Sequence, residues 1–156
     1  LPKAKKMVDP HFTMLWSDSI PNYTHTDINN LNTSIEVIAG KIGETKAPAC
    51  PPNSWANDPL NEVAIWNIKI EANGSWTMPK ASVGINRNLY FYEGSSLLIA
   101  GKTIPKYSAV NVLPEYDLVI KAGAEPVSIL VLQGKPIAEQ VIQYGPGLAT
   151  PLQVSD

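Results

Sequence analysis

G-S-S-L-L-I-A-G-K-T-I-P, Gly94 to Pro105, reads as strand, tight turn, strand. Gly94 and Gly101 are its hinge points, because glycine takes a positive φ without steric penalty. Ser96 to Ala100 is placed to pair with the residues after Gly101-Lys102. The same rhythm continues on both sides. Downstream lie Thr103–Pro105, Ser108–Leu113, Asp117–Lys121 with an Ala122-Gly123 turn, and Val127–Leu132. V-S-I-L-V-L is nearly continuous apolar sequence, which predicts a strand buried on both faces. Upstream, Asn88–Tyr92 is a strand closed by Glu93-Gly94. Val63–Ile70 alternates, with Ala64, Trp66, Ile68 and Ile70 on the apolar face. Asn73-Gly74 is a hairpin signal ahead of Trp76–Met78. Ser34–Gly40 is a further strand, with Ile35 and Val37 on one side, and Phe12–Trp16 is strand-like.

No stretch carries a convincing helical stripe. Short helices near Asn53–Asn57 or Ile137–Val141 are the most the pattern allows. Residues 18–32 and 43–61 read as loops, the second holding Cys50 and Trp55. Roughly eight to eleven short strands separated by turns indicate an all-β antiparallel sandwich or barrel, and the Gly94–Pro105 rhythm fits a small jelly roll.

Composition agrees. A chain of 156 residues forms one domain, and it has 14 prolines, 10 glycines and only 17% charged residues. The net charge of -2 gives no basic footprint for nucleic acid, and Lys3, Lys5 and Lys6 read as a solvated arm. No apolar run approaches the roughly 18 residues of a membrane helix. The single cysteine, Cys50, excludes an intrachain disulfide and suits a reducing, cytoplasmic setting.

Catalytic constellations are sparse. His11 and His25 precede the first clear strand in polar surroundings. Glu62, Glu71, Glu93, Glu115, Glu125 and Glu139 fall near strand ends and read as turn carboxylates. There is no G-x-S-x-G, P-loop or dinucleotide fingerprint. Arg87 and Glu93 stand an even number of residues apart, which places them on one strand face as an ion pair. Gln133, Lys135, Glu139, Gln143 and Tyr144 either line a cleft or belong to an arm along the domain; the arm is preferred.

Several separate blocks carry a resemblance. They are K-M-V-D-P at 6–10, M-L-W at 14–16 with I-P at 20–21, V-I-A-G at 37–40 and P-P-N-S-W at 51–55. V-A-I-W at 63–66, N-R-N-L-Y-F-Y-E-G at 86–94 and L-Q-G-K-P-I-A-E-Q-V-I-Q-Y-G-P at 132–146 complete the set. In this order they resemble the C-terminal domain of the pirin family, whose members are bicupins. The resemblance implies a cupin-type jelly-roll barrel over residues 11–133, an interdomain linker or arm at 1–10 and a C-terminal arm at 134–156. It also implies a preceding N-terminal cupin barrel as partner, holding iron or another divalent metal. The sequence after Gly147 departs from the family's helical tail, which leaves apolar surface for self-association.

The general cupin pattern runs glycine, five spacers, His-x-His, then glutamate about four residues on. Counted from Gly74, the histidine positions hold Lys80 and Ser82, and the glutamate position holds Asn86 or Arg87. The later histidine has no counterpart in Asp117–Lys121. The resemblance therefore implies lost metal-ligand positions and no metal in this domain. Three functions follow: a metal-free structural partner of the N-terminal barrel, part of a quercetin 2,3-dioxygenase-like enzyme whose metal lies in that barrel, or a small-molecule or protein-binding module of a regulator. For a flat aromatic ligand, the candidate pocket residues are Lys80, Arg87, Tyr90, Tyr92 and Glu93.

Overall fold

The hairpin that organises the sequence is present. β8 (Leu97–Ile99) and β9 (Lys102–Ile104) pair antiparallel, Leu97 against Ile104 and Ile99 against Lys102. Ala100 and Gly101 between them both have positive φ, 49° and 77°. That is the backbone a two-residue hairpin needs to match strand twist. Gly94 has φ +115°, and a Cβ there would stand 2.8 Å from the Pro126 carbonyl oxygen.

The computed structural model describes residues 2–140 and the backbone of 142–144 and 147–149. The earlier strands are β1 (Asn22–Thr26), β2 (Asn32–Ala39), β3 (Lys41–Ile42), β4 (Thr45–Lys46), β5 (Ala64–Ile70), β6 (Ser75–Met78) and β7 (Asn86–Glu93). After the hairpin come β10 (Ser108–Asn111), β11 (Leu118–Ala122), β12 (Val127–Gly134), β13 (Ile142–Tyr144) and β14 (Gly147–Ala149). One antiparallel sheet has six strands in the order β1-β2-β5-β12-β7-β10, and a second has four in the order β6-β11-β8-β9. Their inward side chains form one core. Ile35, Val37, Trp66, Ile68, Leu89, Phe91, Ile129 and Val131 come from the larger sheet, and Trp76, Met78, Leu97, Ile99 and Ile120 from the smaller. The fold is all-β with antiparallel sheets, as the strand rhythm predicts. Among the described residues the hydrogen-bonded ladder does not run from one sheet into the other.

Three local expectations are corrected. Asn73-Gly74 does not close a hairpin, because β5 and β6 lie in different sheets. The turn instead carries the chain across the core, held where Asn73 N donates to Gly123 O at 2.7 Å. β12 is central but not buried on both sides. Ser128 is covered, but further along its outer face Leu130 is half-buried and Leu132 is 37% exposed. Residues 12–16 form no strand and pair with none. A short 3-10 helix, Trp55–Asn57, falls within Asn53–Asn57, as the pattern allows, and residues 137–140 form no helix.

Asp27 ties the two sheets together. Its Oδ1 accepts from Asn29 N (2.8 Å) and Leu31 N (3.0 Å) in the β1–β2 turn. Its Oδ2 accepts from Ser75 N, 3.0 Å away at the start of β6. Hydrogen bonding, first from Leu31 and then from Ser75 and Asn29, holds its carboxyl below the usual range against opposing desolvation.

Two outcomes follow. Ile129→Ala on the inner face of β12 is expected to lower unfolding free energy by about 2–5 kcal/mol, and Leu132→Ala on the outer face by under about 1.5 kcal/mol, in urea titrations. The Asp27 pKa is depressed in the fold, so its contribution is present above the unfolded value and lost as pH falls through the folded one. Stability against pH should therefore fall on the acid side of the usual carboxylate range in the wild type. In Asp27→Asn it should be lower at neutral pH and flatter on acidification.

Candidate functional site

The inner face of β7 carries Arg87 beside Leu89 and Phe91. Register sets Arg87 opposite Gln133, itself opposite Ala64, at one end of the larger sheet. Arg87 is 1% exposed. Its Nε donates to Gln133 Oε1 at 2.7 Å, and its Nη1 donates to the Pro79 carbonyl at 2.9 Å. Gln133 Nε2 donates to the Glu62 carbonyl at 3.0 Å. Glu62 Oε2 in turn accepts from Ser82 N at 3.1 Å. Glu62 can take that place because it leaves a 3-10 turn, Pro59–Asn61, with φ +44°. Burial lowers the Arg87 pKa and the Glu62 charge opposes the shift. A guanidinium remains charged under these conditions.

This cluster lies beside the connection that carries Lys80 and Ser82, through the Pro79 carbonyl and the Ser82 N–H. Of the two residues at the expected glutamate position, Asn86 is exposed and Arg87 is buried. Lys80 and Ser82 are exposed on the connection into β7, with Lys80 N donating to Asp117 Oδ1 at 2.9 Å. β11 turns Ile120 and Ala122 inward. Among the described residues, no three His, Cys, Asp or Glu side chains are grouped to hold a metal ion. His11 hydrogen-bonds Thr13, and His25 lies on β1 opposite Thr33, at the far edge of the larger sheet. A metal requires convergent neutral or anionic donors. The inward group here is a cation with its acceptors already placed, so these residues do not fit a metal ion.

The candidate pocket residues are not brought together. Arg87 is inside, whereas Tyr90 and Tyr92 are 39% and 42% exposed on the outer face. Glu93 joins the tyrosines outside, against the even-spacing expectation. β12 Ser128 pairs with Glu93 and Ile129 with Phe91, so Tyr92 is an extra residue. Such a bulge reverses the facing of the residues beyond it. Glu93 Oε2 then accepts from Ser128 Oγ at 2.6 Å, not from Arg87. Nearby, Tyr92 OH donates to Asn67 Oδ1 (2.6 Å) and Asn67 Nδ2 to Glu36 Oε2 (2.7 Å), giving the outer face a bonded polar patch. The pairing of Gln133 with Arg87 escaped the sequence reading. Its signal was parity, since Gln133 shares the inward face of β12 with Ile129 and Val131.

The N-terminal segment and residues 135–139 are tied to each other and to the 53–61 loop. Glu139 accepts the Lys3 backbone N–H on both oxygens, at 3.0 and 2.8 Å, and Trp55 Nε1 donates to Lys135 O at 2.8 Å. Lys135 N donates to Asn61 O at 2.8 Å. The side chains of Gln143 and Tyr144 lie outside the described residues, as does most of the segment after Gly147.

The family model of the pirin C-terminal cupin domain matches residues 65–150, more than half of the chain. The chain belongs to that family. Among curated relatives it is 29% identical over 149 residues to "Putative quercetin 2,3-dioxygenase PA2418" of Pseudomonas aeruginosa, covering 94% of this chain and 46% of that protein. It is 32% identical over 130 residues to "Putative quercetin 2,3-dioxygenase PA3240" of the same organism, covering 77% and 42%. This pirin-type domain thus spans about half the length of the curated relatives it matches. A crystal structure of quercetin 2,3-dioxygenase from Acinetobacter baumannii has the same fold, with TM-score 0.77, 20% identity, and coverage of 97% of this chain and 48% of that one. GK1651 from Geobacillus kaustophilus follows with TM-score 0.67, 21% identity, and coverage of 90% and 53%.

Replacing Arg87 tests the cluster. Arg87→Ala leaves the Gln133 amide oxygen and the Pro79 carbonyl without their donor and opens a void, an expected loss of about 3 kcal/mol or more in urea unfolding. Asn86→Ala, one residue away but exposed, should change stability by under about 0.5 kcal/mol.

Proposed function

We propose that this chain is the C-terminal, metal-free cupin barrel of a two-barrel, quercetin 2,3-dioxygenase-like protein. The observation that carries the reading is the buried Arg87 guanidinium at the glutamate slot, in a domain that spans about half of relatives bearing that enzyme name. Lys80, Ser82 and Asn86 or Arg87 are the remains of the ligand positions. Iron or another divalent ion, and the aromatic substrate, belong to a barrel that precedes this one. Oxygenation needs a redox-capable metal with open positions, and the donors here do not supply one. This domain's part is to support that barrel and close one side of its pocket. Among the described residues no helix is long and apolar enough to cross a membrane.

Expression of the full reading frame tests the proposal. The expected product holds one metal ion per polypeptide and consumes dioxygen with quercetin, while the 156-residue chain alone does neither. Turnover by the isolated chain, or a reading frame with no preceding cupin barrel, would overturn it.

A further inference from the structure

Residues 9–16 lie between two anchors and are all exposed. On one side, Lys3 N is held by Glu139, and Lys5 Nζ donates to Asn53 Oδ1 at 3.1 Å. On the other, a 3-10 turn at Ser17–Ser19 leads to Pro21, whose carbonyl accepts from Val37 N at 2.9 Å. Between them the chain forms neither helix, strand nor turn. No backbone hydrogen bond ties residues 9–15 to any described residue. The side chains here are large and apolar: Phe12 is 82% exposed, Met14 54%, Leu15 41% and Trp16 65%. Phe12, Met14 and Trp16 alternate, the spacing that lines one face of a strand. Unpaired backbone polar groups with an alternating apolar face are the two features a peptide uses when it adds to a sheet edge.

We infer that residues 11–16 are a docking strap that adds as a strand to the edge of the preceding cupin barrel of the same polypeptide. The inference rests on the two-barrel reading above and names the surface through which the barrels join. The occupant is argued from chain length. The Acinetobacter baumannii structure covers 97% of this chain while only 48% of that protein is matched, which leaves about half of that protein outside the match. On the two-barrel reading, a comparable length of chain receives the strap here. Anchoring at both ends lowers the entropy lost on docking, because the bare segment is already confined. It also explains why the sequence of 12–16 reads as a strand although the domain by itself gives it no partner.

Hydrogen exchange on two proteins tests this: the 156-residue chain, and the product of the full reading frame. The amides of residues 12–16 are expected to exchange freely in the first and at least ~100-fold more slowly in the second. In the full protein, Phe12→Ser with Trp16→Ser should remove that protection and split one thermal transition into two. If a preceding barrel is present but 12–16 exchange equally fast in both proteins, the strap is refuted and the two-barrel reading stands. If the 156-residue chain forms dimers that the double substitution dissolves, the occupant is a second copy and the inference fails. If the reading frame encodes no preceding barrel, the proposed function itself fails and the strap with it.

Discussion

A guanidinium enclosed by apolar side chains must find acceptors, since an isolated buried charge is too costly to keep. Arg87 imposes that requirement on three separate parts of the chain. Gln133 ends the central strand with its amide turned inward, Pro79 presents its carbonyl from the connection ahead of β7, and Glu62 contributes charge from the turn that enters β5. Gln133 and Glu62 are themselves linked, and Glu62 also receives the Ser82 backbone. One end of the core is therefore closed by a connected polar network whose members would be orphaned singly. Networks of this kind fix geometry more firmly than isolated pairs do.

That closure changes what the domain can do. The inward group at this end of the core is a cation, which repels a metal ion rather than binding one. Lys80 and Ser82 have turned out to solvent, where their backbone N–H groups serve Asp117 and Glu62.

Much of the sheet framework was legible because side-chain alternation reports burial directly. Val63–Ile70 placed Trp66, Ile68 and Ile70 inside correctly, and the Gly101 hinge marked a true hairpin, with its turn at Ala100-Gly101 rather than Gly101-Lys102. What failed did so for physical reasons that period-two reading does not contain. A turn signal at Asn73-Gly74 says that the chain reverses, not whether the next strand joins the same sheet. The bulge at Tyr92 inserts one residue and carries Glu93 to the far face from Arg87. Phe12–Trp16 has strand chemistry, but a strand exists only where an edge is available to pair with it. The expected ligand positions came only from the family pattern, and which of Asn86 and Arg87 faces inward needed the register of β7.

The most direct measurement of the central claim is the metal content of the 156-residue chain, purified without chelator and then dialysed against iron(II), zinc(II) or manganese(II). The account predicts that none is retained in stoichiometric amount, because the inward position is filled by the Arg87 cation. One tightly held ion per chain would contradict it.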